Sequence, residues 1–321
     1  MSTRCSRREF LAASAAGAGL LAVGRADAAP FKTKLHKAVI LGANRMNEET
    51  FKKLKDTGLE GIEAHTVAVD EAKKARELAE KAGLRIHSVM RGGSAAGLRA
   101  AQAYGADAVL APVGGCGAKP IPQPWEFDIK FDESNGHITQ LVAGDNEKFK
   151  GYIEAHNRSV DGVRESIKKL LPVAEETKVA IALENVWNNW CVRPELYNWV
   201  VASFNSPWVK AYFDVGNHVK YAGILRGDKV EIAYLPEVWI RTFGPRLAKI
   251  HVKDYKLNPD GKGGNWAGIG QGSVNWPEVR KALDEVGYNG WLTDETGLGW
   301  PELNKRLDRI IAGEQPVPPT K

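Results

Sequence analysis

The sequence predicts a (β/α)8 TIM barrel with a β-hairpin inserted after the fourth strand. Short apolar runs rich in Val, Ile and Leu alternate with helical patterns from Lys37 onward, which is typical of parallel strands covered on both faces. Eight such strand–helix units follow one another, the number that closes a barrel. One connection, the 36 residues between Pro112 and Phe149, is far longer than an ordinary βα loop.

The predicted strands and helices follow in chain order. The strands are Ala38–Gly42, Gly61–His65, Arg85–Met90, Ala108–Pro112, Val179–Glu184, Val209–Val215, Leu247–Val252 and Gly290–Asp294. Predicted helices include Asp70–Ala82, Val160–Thr177 and Asn275–Val286, and the glycines that follow helices, where a left-handed cap favours glycine, are Gly58, Gly83, Gly105 and Gly287. A doubly wound open sheet is the alternative, but it is disfavoured because no GxGxxG follows the first strand.

The long connection, about residues 113–148, contains the pattern of a β-hairpin. Apolar and polar residues alternate from Trp125 to Phe131 and again over His137–Val142. Between them, Asn135-Gly136 predicts a type I′ turn. On a barrel this insertion lies over the catalytic face, so a lid, a contact in a homo-oligomer and a plain surface hairpin all remain open.

Residues 1–28 have the pattern of an export signal. Ser6-Arg7-Arg8-Glu9-Phe10-Leu11 precedes an apolar run that ends at Val23, and Ala26-Asp27-Ala28 offers a cleavage site. The run is too short to span a bilayer as a stable helix, so we expect no membrane anchor. The arginine pair resembles the twin-arginine signal. We therefore expect the twin-arginine machinery to export the chain, leaving residues 29–321 as one periplasmic or secreted domain.

Composition excludes several classes of protein. The chain has 321 residues, 26% of them charged and 43% hydrophobic, which is ordinary for a soluble globular protein. The net charge is +5. Residues 1–28 contain four arginines and two acidic residues, so the charge of the remaining chain is lower still. This positive charge is too small to indicate a nucleic-acid-binding surface. Three cysteines, Cys5, Cys116 and Cys191, are too few for a disulfide scaffold. We expect Cys116 and Cys191 to be free, partly buried thiols.

The last four predicted strands each end with a residue that can bind a metal. They are Glu184, Asp214, His251 and Glu295. Active sites of barrels are built where the strands end, so these side chains are expected to converge. Three carboxylates and an imidazole would repel one another or remain unpaired without a cation. Three oxygen ligands and one nitrogen suit Mn²⁺, Mg²⁺ or Co²⁺, and Zn²⁺ is an alternative.

Over residues 37–313 the chain resembles the xylose isomerase-like barrels called sugar phosphate isomerases/epimerases. The resemblance is carried by Ala182-Leu-Glu-Asn, Phe213-Asp-Val-Gly-Asn, Ile250-His-Val-Lys-Asp-Tyr and Trp291-Leu-Thr-Asp-Glu. In the ketose epimerases of this family, Glu–Asp–His–Glu at these strand ends bind Mn²⁺ or Co²⁺. Their two glutamates also exchange the substrate proton, which implies that role for Glu184 and Glu295.

The chain departs from the ketose epimerases at two substrate-contacting positions. Asn217, followed by His218, stands where those enzymes have a histidine, and Trp190 stands where they have a glutamate. The resemblance therefore implies the fold and the metal but not the substrate. Our candidate substrate-binding residues are Asn185, Asn217, His218, Lys253, His65 and His87. For His65 and His87 a buried, hydrogen-bonded histidine is the alternative, and for Lys253 we favour an ion pair with Asp254 over a role in steadying an oxyanion.

The expected reaction is isomerisation or epimerisation of a keto-sugar or sugar derivative through an enediolate. Export and the tryptophans of the catalytic-face loops, Trp187, Trp190 and Trp266, favour a free keto-sugar or glycoside over a sugar phosphate. The same chemistry gives β-elimination if a leaving group adjoins the abstracted proton, so a lyase acting on an oxidised glycoside is the first alternative. A non-catalytic sugar-binding protein is less favoured. A DNA-cleaving member of the fold is disfavoured by export and modest charge.

Overall fold

A computed structural model describes residues 30–317. The predicted export signal lies outside the described residues. The eight barrel strands are β1 (Leu35–Ile40), β2 (Gly61–His65), β3 (Arg85–Met90), β4 (Ala108–Pro112), β7 (Ala180–Glu184), β8 (Val209–Asp214), β11 (Leu247–Val252) and β14 (Gly290–Asp294). They close a barrel in the order β1-β14-β11-β8-β7-β4-β3-β2, and each neighbouring pair is parallel. The predicted TIM barrel is confirmed.

Helices alternate with the barrel strands along the chain. They are α1 (Glu48–Asp56), α2 (Val69–Lys81), α3 (Ala95–Tyr104), α4 (Lys150–Thr177), α5 (Pro194–Ala202), α6 (Pro236–Phe243), α7 (Trp276–Glu285) and α8 (Trp300–Ile311). The four predicted cap glycines all have a positive φ, between 69° and 85°, as the left-handed cap requires. No helix among residues 30–317 is long and apolar enough to cross a membrane.

Two elements begin earlier than the sequence predicts. Strand β1 starts at Leu35, because the polar residues His36 and Lys37 are stabilised by Glu60 and Asp308 on neighbouring elements. Helix α4 starts at Lys150, ten residues before the predicted start. The ten residues before the predicted start bury only Tyr152 and His156, and the exposed polar residues around them obscure this narrow apolar face.

The insertion after β4 contains the predicted hairpin. Strands β5 (Phe127–Asp132) and β6 (His137–Val142) are antiparallel. The type I′ turn is wrong, because only Gly136 has a positive φ and four residues separate the paired ends Asp132 and His137. The buried guanidinium of Arg193 donates to the carbonyl oxygens of Phe127 and Gly223 and so holds the hairpin against the barrel.

Two further hairpins follow barrel strands on the catalytic face and were not predicted. Strands β9 (Gly223–Arg226) and β10 (Lys229–Ile232) follow β8, and strands β12 (Asp254–Leu257) and β13 (Gly264–Ala267) follow β11. Each strand has only four residues, too short for a periodicity to stand out from the sequence. Packing against the barrel, rather than local propensity, defines them.

Candidate metal and substrate site

Four side chains meet at the carboxyl ends of neighbouring barrel strands. Glu184 ends β7, Asp214 ends β8, His251 lies one residue before the end of β11, and Glu295 directly follows β14. Each offers one ligand atom, and these four atoms all lie within 4.8 Å of one another. Glu184, Asp214 and His251 are buried, and Glu295 is partly exposed. The structure therefore brings together all four predicted ligands.

Three polar atoms of this cluster are buried with few partners. His251 Nδ1 has no hydrogen bond, and Asp214 Oδ2 and Glu295 Oε2 share one partner, the Lys253 ammonium at 3.1 and 2.7 Å. The imidazole Nδ1 lies 3.6 Å from Glu184 Oε1 and 3.5 Å from Glu295 Oε2. Buried polar atoms are normally satisfied, so an imidazole nitrogen without a hydrogen bond, close to three carboxylates, fits a shared cation. The three oxygens and one nitrogen suit a divalent ion.

The carboxylates of the cluster favour a positive charge among them. Burial opposes protonation of His251, but Glu63 and the cluster glutamates raise the pKa of its imidazole well above the usual value. Burial raises the pKa of Asp214 to about 7. Burial also acts to raise the pKa of Glu295, but His251, Asp214 and Lys253 outweigh it and lower that pKa. Carboxylates this close together need a cation or a shared proton between them.

Glu63 is a member of the site that the sequence analysis missed. It is fully buried in β2, and its Oε2 lies 2.6 Å from His251 Nε2. Ser88 Oγ and Tyr212 OH donate to its two carboxylate oxygens at 2.9 and 3.1 Å. A carboxylate on one imidazole nitrogen orients the other nitrogen toward a metal and raises its basicity. The available signal was a lone carboxylate inside an apolar strand, Gly61-Ile-Glu-Ala-His.

Replacing Glu63 by glutamine is expected to weaken divalent-metal binding by about 10- to 100-fold, because the imidazole loses the partner that orients it. Titration calorimetry of metal-free protein with Mn²⁺ measures this. Glu60→Gln is the matched control, since Glu60 also bonds a histidine, His36, but at a partly exposed position outside the cluster. Equal affinities for the two variants would show that Glu63 does not position His251.

Lys253 contacts two of the cluster carboxylates. Its Nζ lies 3.1 Å from Asp214 Oδ2 and 2.7 Å from Glu295 Oε2. Burial acts to lower the pKa of Lys253, but these carboxylates raise it. The prediction that Lys253 pairs with Asp254 is wrong. Asp254 is instead fully buried and accepts hydrogen bonds from the backbone N–H groups of Gly270, Gly272 and Val274, which shapes the loop after β13.

Asn185, Asn217 and His218 lie beside the cluster but are buried and bonded to protein groups. The amide of Asn185 bonds both the backbone N–H and the carbonyl oxygen of Asp214, and its Nδ2 also lies 2.9 Å from His218 Nδ1. Asn217 Nδ2 donates to the Asn185 carbonyl oxygen. The ring of His218 packs on Trp239, and burial lowers its pKa to about 3. These three side chains hold the end of β8 in place.

His65 and His87 differ from each other in environment. His87 is fully buried, stacks on Trp291 with ring centroids 4.6 Å apart, and has Nε2 3.2 Å from Thr293 Oγ1. Burial lowers its pKa well below the usual value, so it is a neutral core residue, the alternative stated for it. His65 ends β2 with an exposed side chain; among residues 30–317 no hydrogen bond joins that side chain to the cluster.

The three tryptophans of the catalytic-face loops differ in their exposure to solvent. Trp190 is only 1% exposed and packs on His156 and Tyr197, so its expected place on an open sugar-binding face is wrong. Trp187 and Trp266 are 38% and 47% exposed and stack with ring centroids 4.5 Å apart.

Both Cys116 and Cys191 are free, as expected, but they are fully rather than partly buried.

Comparisons with known proteins agree with the fold. The sequence profile of a family described as xylose isomerase-like TIM barrel matches residues 51–307. The structure of a D-tagatose 3-epimerase-like protein has a TM-score of 0.58 with this chain at 15% identity, and the match covers 86% of this chain and 97% of that one. No curated protein sequence matches the chain.

Two further solved structures show the same likeness. A 3-keto-D-glucoside 4-epimerase from E. coli, in its apo form, has a TM-score of 0.53 at 14% identity, covering 82% of this chain and 92% of that one. A xylose isomerase-like TIM barrel protein from Mycobacterium smegmatis, in complex with magnesium, has a TM-score of 0.54 at 14% identity, covering 88% and 96%. At these low sequence identities the likeness shows a shared fold and nothing more specific.

Proposed function

The chain belongs to the xylose isomerase-like TIM barrel family, and from this premise we propose that it is a divalent-metal-dependent isomerase or epimerase. Its substrate is a keto-sugar or sugar derivative, and the reaction passes through an enediolate. One observation carries the proposal: the four potential ligand atoms of the cluster all lie within 4.8 Å of one another. They belong to Glu184, Asp214, His251 and Glu295. Mn²⁺ is the metal we favour, with Mg²⁺, Co²⁺ and Zn²⁺ as alternatives.

The two glutamates are the proposed acid–base pair. A divalent ion supplies a Lewis acid that polarises a substrate carbonyl and stabilises negative charge beside it. Glu184 and Glu295 come from β7 and β14, which are separated in the barrel by β8 and β11. Their carboxylates therefore approach the centre from different sides. One removes the proton on the carbon next to the carbonyl, and the other returns a proton to the opposite face or to the neighbouring carbon.

Lys253 supports this chemistry. Its ammonium, 2.7 Å from Glu295 Oε2, contributes to the lowered pKa of Glu295 and so keeps this base ionised. It also offers a hydrogen-bond donor for an oxyanion that develops beside Glu295. The Asn185 amide holds the backbone of Asp214, the backbone N–H of Asn217 donates to Asp214 Oδ1, and His218 Nδ1 lies beside the Asn185 amide. We assign these three as positioning residues rather than substrate contacts.

Solvent exchange tests the proposal. Keto-hexoses and keto-glycosides incubated with Mn²⁺-loaded protein in D₂O should acquire deuterium at the carbon next to the carbonyl, which NMR and mass spectrometry detect. Deuterium in recovered substrate and in an isomer or epimer supports the proposed reaction. An unsaturated product with loss of the aglycone would instead identify the lyase. Metal-dependent binding of sugars with no exchange and no product would identify a sugar-binding protein.

We further propose that residues 1–28 direct export through the twin-arginine machinery, so that residues 29–321 act in the periplasm or outside the cell. Changing Arg7 and Arg8 together to lysine should keep the full-length precursor in the cytoplasm, as cell fractionation and immunoblotting would show. Changing Arg4 to lysine is the control and should leave export intact. Unchanged export of the double variant would rule out a twin-arginine signal.

A further inference from the structure

A hydrogen bond crosses the interior of the barrel one layer below the metal cluster. It joins Glu63 on β2 to Tyr212 on β8, and three strands separate β2 from β8 on either side of the closed barrel. The Tyr212 hydroxyl donates to Glu63 Oε2 at 3.1 Å. Both side chains are buried, Glu63 completely. The bond therefore connects two strands that lie opposite each other across the barrel.

Tyr212 adjoins two of the predicted metal ligands. It lies two residues before Asp214 on β8, so the two side chains are on the same face of the strand. Its ring contacts that of His251, with the centroids 4.5 Å apart. It also packs with three apolar side chains of β4 and β7, which are Ala108, Leu110 and Ala182. Phenylalanine would keep these ring contacts, so the role of the hydroxyl can be tested separately.

Donors from two sides hold the Glu63 carboxylate. Ser88, which pairs with Glu63 on the neighbouring strand β3, donates to Oε1 at 2.9 Å, and Tyr212 donates to Oε2 from the opposite strand. These bonds keep the carboxylate from turning and leave Oε2 as the acceptor for His251 Nε2, 2.6 Å away. An imidazole that donates from Nε2 presents the lone pair of Nδ1, the nitrogen that lies near Glu184 and Glu295.

We propose that Tyr212 is a positioning residue of the metal site. Its hydroxyl, together with that of Ser88, fixes the orientation of Glu63 and thereby holds His251 with Nε2–H toward Glu63 and Nδ1 toward the metal. The inference rests on the metal site of the proposed function and adds two side chains that are not members of its ligand set. An imidazole whose partner can turn away spends part of its time in the wrong orientation or tautomer and binds a metal less tightly.

Metal titration of matched variants tests the role of the hydroxyl. Tyr212→Phe should weaken Mn²⁺ binding by about tenfold in calorimetry. Tyr104→Phe is the control, because Tyr104 is also buried and its hydroxyl donates to a group outside the cluster, the His65 carbonyl oxygen; it should bind Mn²⁺ like wild type. The visible absorption of the Co²⁺-loaded protein depends on the geometry of the ligands and should change in Tyr212→Phe only.

A double-mutant cycle identifies the path of the effect. If the hydroxyl acts through Glu63, then Tyr212→Phe should change the Mn²⁺ affinity by less than about twofold once Glu63 has been replaced by alanine. Ser88→Ala should behave like Tyr212→Phe in both backgrounds. Circular dichroism verifies the fold of the metal-free variants, and Glu63→Gln takes the place of Glu63→Ala in the cycle if the alanine variant does not fold.

The outcomes separate this inference from the proposed function. Wild-type Mn²⁺ affinity or an unchanged Co²⁺ spectrum in Tyr212→Phe, an equal loss in Tyr104→Phe, or additive losses in the cycle would overturn the positioning role and leave the proposed function standing. A loss confined to Tyr212→Phe and Ser88→Ala, and absent without Glu63, supports the role even if no keto-sugar exchanges deuterium. A wild-type protein that binds no divalent metal would overturn both.

Discussion

Replacing Glu184 or Glu295 by glutamine is expected to lower kcat by about 10²–10⁴-fold, the usual contribution of a positioned general base or acid. Glutamine keeps a neutral oxygen that can still face a metal but cannot accept a proton. Each variant should therefore retain part of its metal while losing deuterium exchange at the carbon next to the carbonyl. Elemental analysis gives the metal content, and NMR in D₂O gives the exchange.

Glu302→Gln is a suitable control because Glu302 lies on the surface of α8 and pairs with Arg306; it should have wild-type activity. Near wild-type rates in both cluster variants would contradict the acid–base assignment and leave the metal site with another use. Wild-type turnover without deuterium incorporation would indicate direct hydride transfer between carbons instead of proton exchange.

Replacing Asp214 by asparagine is expected to abolish stoichiometric metal binding. Asp214 Oδ1 accepts hydrogen bonds from the backbone N–H groups of Gly216 and Asn217, and asparagine can preserve these. Its Nδ2 then replaces Oδ2, the buried oxygen that lies 3.1 Å from Lys253 Nζ, and an amide nitrogen does not ligate such a metal. The stabilisation by metal, about 2.7 kcal/mol at 100 times the dissociation constant, should disappear.

Thermal melting with and without Mn²⁺, together with metal analysis, measures both effects. Asp56→Asn, at an exposed position on α1, should keep full metal content and the metal-dependent rise in Tm. An Asp214→Asn protein that binds one metal and is stabilised like wild type would remove Asp214 from the ligand set.

Some features follow from the sequence because they depend on local pattern and on chain topology. A strand covered on both faces needs a continuous apolar run, so all eight barrel strands could be located, with β1 displaced by its polar residues. Since successive parallel strands end at the same rim, Glu184, Asp214, His251 and Glu295 could be predicted to converge without knowledge of any contact. The hairpin of β5 and β6 followed from its alternation, although its turn type did not.

Other features were decided by the tertiary structure, because they depend on which side chains meet across the barrel. Glu63 lies 188 residues from His251 in the chain, and no local pattern links them. Lys253 lies between β11 and β12 and contacts Asp214 and Glu295 across the barrel mouth, whereas Asp254 is bonded by N–H groups of the loop after β13. Whether a tryptophan is buried, as Trp190 is, or exposed, as Trp266 is, depends on the packing of hairpins whose strands are too short to predict.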